Sequence, residues 1–148
     1  MFSKIALASA LALTAGSMAS AKTMDWHAML NAKQEVKAKK MEPKAMGEAM
    51  GTLDTDTGVL TWTVKWDHLS GPATMAHFHG PAKMGKNAGV QVNIGKISGT
   101  KSPAEGKTKI DAKQMKQLEN GMWYVNIHTK ENPGGEIRGQ VKMGKAPM

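Results

Sequence analysis

Five histidines, His27, His68, His77, His79 and His128, are the residues best equipped for chemistry. Two of them form His77-Phe78-His79. On a β-strand, residues i and i+2 share a face and stand about 6.6–7 Å apart. Two imidazoles so placed can converge on one ion at metal–nitrogen distances of about 2.0–2.1 Å, while Phe78 turns to the opposite face. Met75 falls on the histidine face as a soft thioether, and Met84 offers a second one. His128 closes a segment in which Trp123, Val125 and Ile127 alternate with Tyr124, Asn126 and His128. The pattern is that of a metal site made by His77, His79 and His128, with Met75 or Met84 as a further ligand. Surface histidines on a solvated strand share this spacing, so the spacing leaves both readings open. Copper is expected ahead of zinc, because imidazole with thioether suits copper and Cu(II) outranks zinc at nitrogen sites.

Other chemistries leave fewer traces. With no cysteine there is no thiolate nucleophile and no disulfide. G-x-S-x-G, H-E-x-x-H, a phosphate-binding P-loop and G-x-G-x-x-G before a helix are all lacking. The carboxylates fall in turns, where Asp and Glu are common anyway. Methionine, at 13 residues against an aromatic share of 5%, is abundant. It either fills the core in place of aromatics or ligates Cu(I), and Met41, Met46 and Met50 are the alternative place for such a site.

The start of the chain has the pattern of an export signal: Lys4, an apolar run over 5–15 broken by Ser9 and Thr14, then Ala19-Ser20-Ala21. The expected cut follows Ala21, leaving one domain, 22–148, in a periplasmic or secreted location. The run is shorter than the roughly 20 residues a span requires, and no second one follows, so no transmembrane anchor is expected. A formal net charge of +8 suits the anionic lipids and polysaccharides of an envelope. Nucleic acid is not an expected partner of an exported chain.

The elements that would carry these residues are short strands. Segments 24–30, 47–53, 59–66, 74–79, 89–94, 122–128 and 136–143 read as strands, with 54–58 as the hairpin turn between the second and third. Segments 35–43 and 99–106 read as polar loops. Only 111–120 reads as a helix, with Asp111 as N-cap, Gln114 completing a capping box and Gly121 just past the end. The fold class is all-β, an antiparallel β-sandwich of Greek-key or dismutase-like type with one short peripheral helix.

Four stretches carry a family resemblance: 76–82 (AHFHGPA), 87–90 (NAGV), 121–129 (GMWYVNIHT) and 132–140 (NPGGEIRGQ). Together with 30–35 and 51–54 they resemble the CHRD domain, named after chordin, over most of 22–148. The resemblance implies an extracellular or exported domain. In animals the family occurs in regulators of growth factors, in bacteria as small exported proteins of mostly unassigned role. A second likeness is to copper–zinc superoxide dismutases. It implies that His77 and His79 match the copper H-x-H pair, His128 the late copper histidine, and Arg138 the catalytic arginine that attracts the anion. The sequence departs from that pattern in lacking the disulfide and the zinc loop. The fourth copper histidine is also missing, unless His27, His68 or a methionine replaces it. Arg138 is equally readable as a strand residue paired with Glu136. Three functional classes stay open: a copper-binding module, a dismutase-like enzyme, and an extracellular interaction domain with structural histidines.

Overall fold

The computed structural model describes residues 22–38 and 40–148. The expected export signal, 1–21, lies outside the described residues. Among the described residues, nine strands form one antiparallel sheet: β1 (Thr23–Asn31), β2 (Met46–Asp54), β3 (Val59–Asp67), β4 (Ala73–His79), β5 (Val90–Asn93), β6 (Ala104–Lys109), β7 (Tyr124–Thr129), β8 (Ile137–Gln140) and β9 (Lys142–Met143). Their order is β5-β4-β7-β8-β1-β2-β3-β6, with β9 on β1. The all-β expectation holds, and the layers of the sandwich are arms of a single curled sheet.

Period-two alternation explains the core. Trp26, Ala28 and Leu30 of β1 and Leu60, Trp62 and Val64 of β3 point inward and are buried. Asp54 shapes the β2–β3 turn by accepting at Oδ1 from the N–H groups of Asp56 and Thr57, both at 2.9 Å. Gly58 completes that turn at φ +74°. The curl brings the arms together at Phe78 of β4. Its ring lies 5.4 Å from Trp26, 5.8 Å from Trp62 and 5.8 Å from Trp123, centroid to centroid. A turn of helix, α1 (Ile94–Ser98), sits between β4 and β6 near the open side. There the indole of Trp62 donates to Ser98 Oγ at 2.9 Å.

The expected helix is present as α2 (Ala112–Glu119), with the Asp111–Gln114 capping box formed and Leu118 buried. Three expectations need correction. Residues 99–106 are not all loop, because 104–109 form β6 on the edge of β3. Its inward positions are Ala104, Gly106 and Thr108, too small to give a hydrophobic period. A Cβ on Gly106 would stand 2.8 Å from the ring of Trp62, so the small residue is what lets that indole in. Segment 136–143 breaks at Val141 into β8 and β9. The helical turn α1 also carried no periodic signal in the sequence. Among the described residues, no helix is long and apolar enough to cross a membrane.

Candidate metal centre

Strands β4 and β7 pair with His77 opposite Asn126, His79 opposite Tyr124 and Met75 opposite His128. Cross-strand partners share a face, so this register gathers the three histidines on one side. Each offers a ring nitrogen within 4.8 Å of the other two. His77 Nδ1 lies 3.1 Å from His128 Nε2.

Backbone carbonyls orient two of the rings. His128 Nδ1–H donates to Pro133 O at 2.9 Å, and His79 Nδ1–H donates to Ala88 O at 3.0 Å. Each bond places the proton on Nδ1 and leaves a lone pair on Nε2. Metal-ligating histidines are commonly held in this way. The Nε2 of His79 is buried and has no hydrogen-bond partner. Burial lowers the pKa of all three imidazoles, and the neighbouring rings add to it at His77, which falls to about 4. All three are therefore neutral near pH 7, the form that ligates a metal.

Two loops deliver those carbonyls. The turn after β7 is fastened by Glu136, whose carboxylate accepts from Ser70 N and Ser70 Oγ, both at 2.6 Å, from Thr129 Oγ1 and from Asn132 Nδ2. Burial alone would raise its pKa, but these bonds together lower it. The loop after β4 returns to Tyr124, whose hydroxyl accepts from Ala88 N at 3.1 Å and donates to Ala88 O at 3.3 Å.

A family model for the CHRD domain matches residues 26–141. The chain belongs to the CHRD domain family. That match contains all three histidines and the loops that orient them. Neither a search of curated proteins nor one of solved structures returned a match.

Around the triad, this CHRD domain builds a buried polar layer that strand alternation alone did not reveal. The ring of His79 stacks on Tyr124 from the β4 side, 5.0 Å between centroids and 6° from parallel. From the β8 side the guanidinium of Arg138 lies 3.5 Å from the centre of the Tyr124 ring. Arg138 is fully buried and donates to Asn87 Oδ1, Lys83 O and Gln140 Oε1, each at 3.3 Å. It makes no ion pair with Glu136, whose bonds go to Ser70, Thr129 and Asn132. Glu35 also joins the layer, as the acceptor of the Asn126 amide. Burial raises its pKa to about 7, although the Asn126 bond and the charge of Arg138 oppose the shift. Nothing in the charged stretch 35–43 singled out Glu35.

Of the remaining candidates, Met75 shares the strand face of the triad and the others stand elsewhere. His68 is exposed beside Asp67, and His27 lies on the outer face of β1. Met75 is 41% exposed at the register position opposite His128. Met84 lines a small cavity with His27 and Met29 that none of the three clustered histidines lines.

Proposed function

We propose that this CHRD domain is an exported module that binds one copper ion through His77, His79 and His128. The observation that carries the reading is the unpaired Nε2 of His79, buried inside a cluster of three neutral imidazoles. An orphaned buried acceptor costs about 1–3 kcal/mol, and a bound metal would remove that cost. The anchoring of His79 and His128 on backbone carbonyls supports it, since it pre-orients both lone pairs. Three imidazoles leave room for a further ligand, and Met75 is the thioether on that face. Copper is placed ahead of zinc on ligand softness and on its higher affinity for nitrogen sites.

The dismutase-like reading asks Arg138 to draw an anion toward the metal. Arg138 is instead covered, with its guanidinium against Tyr124 and its N–H groups on Asn87, Lys83 and Gln140. Binding is therefore the reading we favour over catalysis, and we place the protein outside the cytoplasm on its signal-like first 21 residues.

Untagged protein should take up one Cu(II) per chain in a calorimetric titration. Each single His→Ala change should weaken binding by more than about 100-fold, since loss of an outer-shell contact alone costs about 10–100-fold. Unchanged affinity in the triple Ala variant would refute this site and move copper binding elsewhere, first to Met41, Met46 and Met50, whereas wild-type protein that takes up no copper would leave the interaction-domain reading.

A further inference from the structure

The outer face of β1 carries His27 and Met29, while Trp26, Ala28 and Leu30 face the core. The loop after β4 reaches the same region, tied down where Ala82 O accepts from Gln140 Nε2 at 2.7 Å and Lys83 O accepts from Arg138. It carries Met84. Between them lies a cavity of about 130 Å³, lined by His27, Met29 and Met84 together with Gln34, Gln140 and Lys142.

Two features separate this cavity from ordinary packing. Met29 is 54% exposed and Met84 is 58% exposed, so neither thioether is filling a core gap. His27 is held by the device seen at the buried triad: its Nδ1–H donates to Gly144 O at 2.9 Å, leaving Nε2 free to ligate. The donor set is thus one imidazole nitrogen and two thioether sulfurs. No carboxylate lines the cavity, and the cationic Lys142 does. Hard divalent cations require anionic oxygen, which this site does not offer. A soft monovalent ion tolerates neutral sulfur and the nearby charge far better.

We propose that His27, Met29 and Met84 form a second, surface-accessible site for Cu(I), distinct in donors and in oxidation state from the buried histidine triad. Its occupancy does not depend on the triad. Gln140 lies between the two: it lines the outer cavity and accepts from Arg138, the far member of the stack that ends on His79.

The test is anaerobic Cu(I) titration against a chromophoric Cu(I) chelator, with methionine methyl groups labelled for NMR. The His77→Ala, His79→Ala, His128→Ala triple variant should still bind one Cu(I), with the Met29 and Met84 methyl signals moving. In the wild-type background, Met29→Leu with Met84→Leu should lower Cu(I) affinity at least about 10-fold, as even an outer-shell loss does, while Cu(II) binding at the triad stays unchanged. Leucine conserves volume at two exposed positions, so folding is retained and the comparison holds even if the triple variant does not fold. Wild-type Cu(I) affinity in the double leucine variant would overturn the proposal whatever the triad does. So would methyl shifts confined to Met41, Met46 and Met50.

Discussion

Strands β4, β7 and β8 have two buried faces of opposite chemistry. One carries Ala76, Phe78, Val125, Ile127 and Ile137; the other carries His77, Tyr124, Asn126, His128, Arg138 and Gln140, and all eleven are buried. The apolar face needs no special pleading, since burying hydrocarbon is favourable in proportion to area. Burying the polar face is unfavourable unless each group finds a partner. Loops supply most of those partners: Ala88 O, Pro133 O, Lys83 O and Ala82 O. Among the described residues, His79 Nε2 and Arg138 Nε stay unpaired. One face therefore holds the fold together, and under the proposed function the other is retained for what it can bind.

The largest expected effect breaks the apolar side. Phe78→Ala removes the ring on which Trp26, Trp62 and Trp123 converge. It should cost about 3–5 kcal/mol of unfolding free energy, the usual range for a buried phenylalanine. Chemical denaturation of the apo protein measures it. A loss below about 1 kcal/mol would mean that the arms of the sheet are not held at this point.

A smaller loss is expected where a polar group is structural. Glu136→Gln keeps the shape but removes the charge that accepts from Ser70, Thr129 and Asn132. Leaving part of that set unpaired should cost about 1–3 kcal/mol. Copper affinity should fall as well, because the turn bearing Pro133 O loosens around His128. Unfolding curves and calorimetry on the same variant give both numbers, and a stability loss with no change in affinity would uncouple the turn from the site.

Acid distinguishes two groups within the polar layer. His77 titrates near 4 in the folded chain and near 6.5 unfolded, so the unfolded state binds more protons between these values. Its contribution to stability is full above pH 6.5 and shrinks as pH falls toward 4. Glu35, raised from 4.5 to about 7, works the other way: its contribution is full below pH 4.5 and is lost as pH rises through 7. The two slopes oppose each other between pH 4.5 and 6.5. Glu35→Gln should therefore steepen the loss of stability on going from pH 6.5 to 4.5, and His77→Ala should flatten or reverse it. Denaturation midpoints at several pH values decide this, and identical profiles for wild type and both variants would contradict it.

Much of this was legible in the residues, and the illegible part has a physical cause. Alternation marked β3 and β7, and the period-two spacing of His77 and His79 put them on one face before any partner strand was known. The capping pair Asp111 and Gln114 marked α2. β6 was missed because Ala104, Gly106 and Thr108 are too small to show a period. The cover on the polar layer was missed for a different reason. Pro133 O and Ala88 O act through their backbone carbonyls, which no residue type advertises, and Glu35 enters through the tertiary path of a charged loop.

The smallest expected effect is the sharpest test of the contrast between the faces. His79→Phe keeps a flat ring to stack on Tyr124 and removes both ring nitrogens. The Nδ1 bond to Ala88 O is lost, a net contribution of about 0.5–1.5 kcal/mol. That carbonyl still accepts from the Tyr124 hydroxyl, so it is not orphaned. The buried, unpaired Nε2 disappears too, and with it a cost of about 1–3 kcal/mol. The two terms nearly cancel, so the apo protein should be as stable as wild type, within about 1 kcal/mol, or slightly more stable. Copper binding at the triad should meanwhile be lost, because only two imidazoles remain. A side chain whose removal spares stability and abolishes binding is held for function. If His79→Phe destabilised the apo protein as severely as Phe78→Ala does, the polar face would be a second structural core and the contrast drawn here would fail.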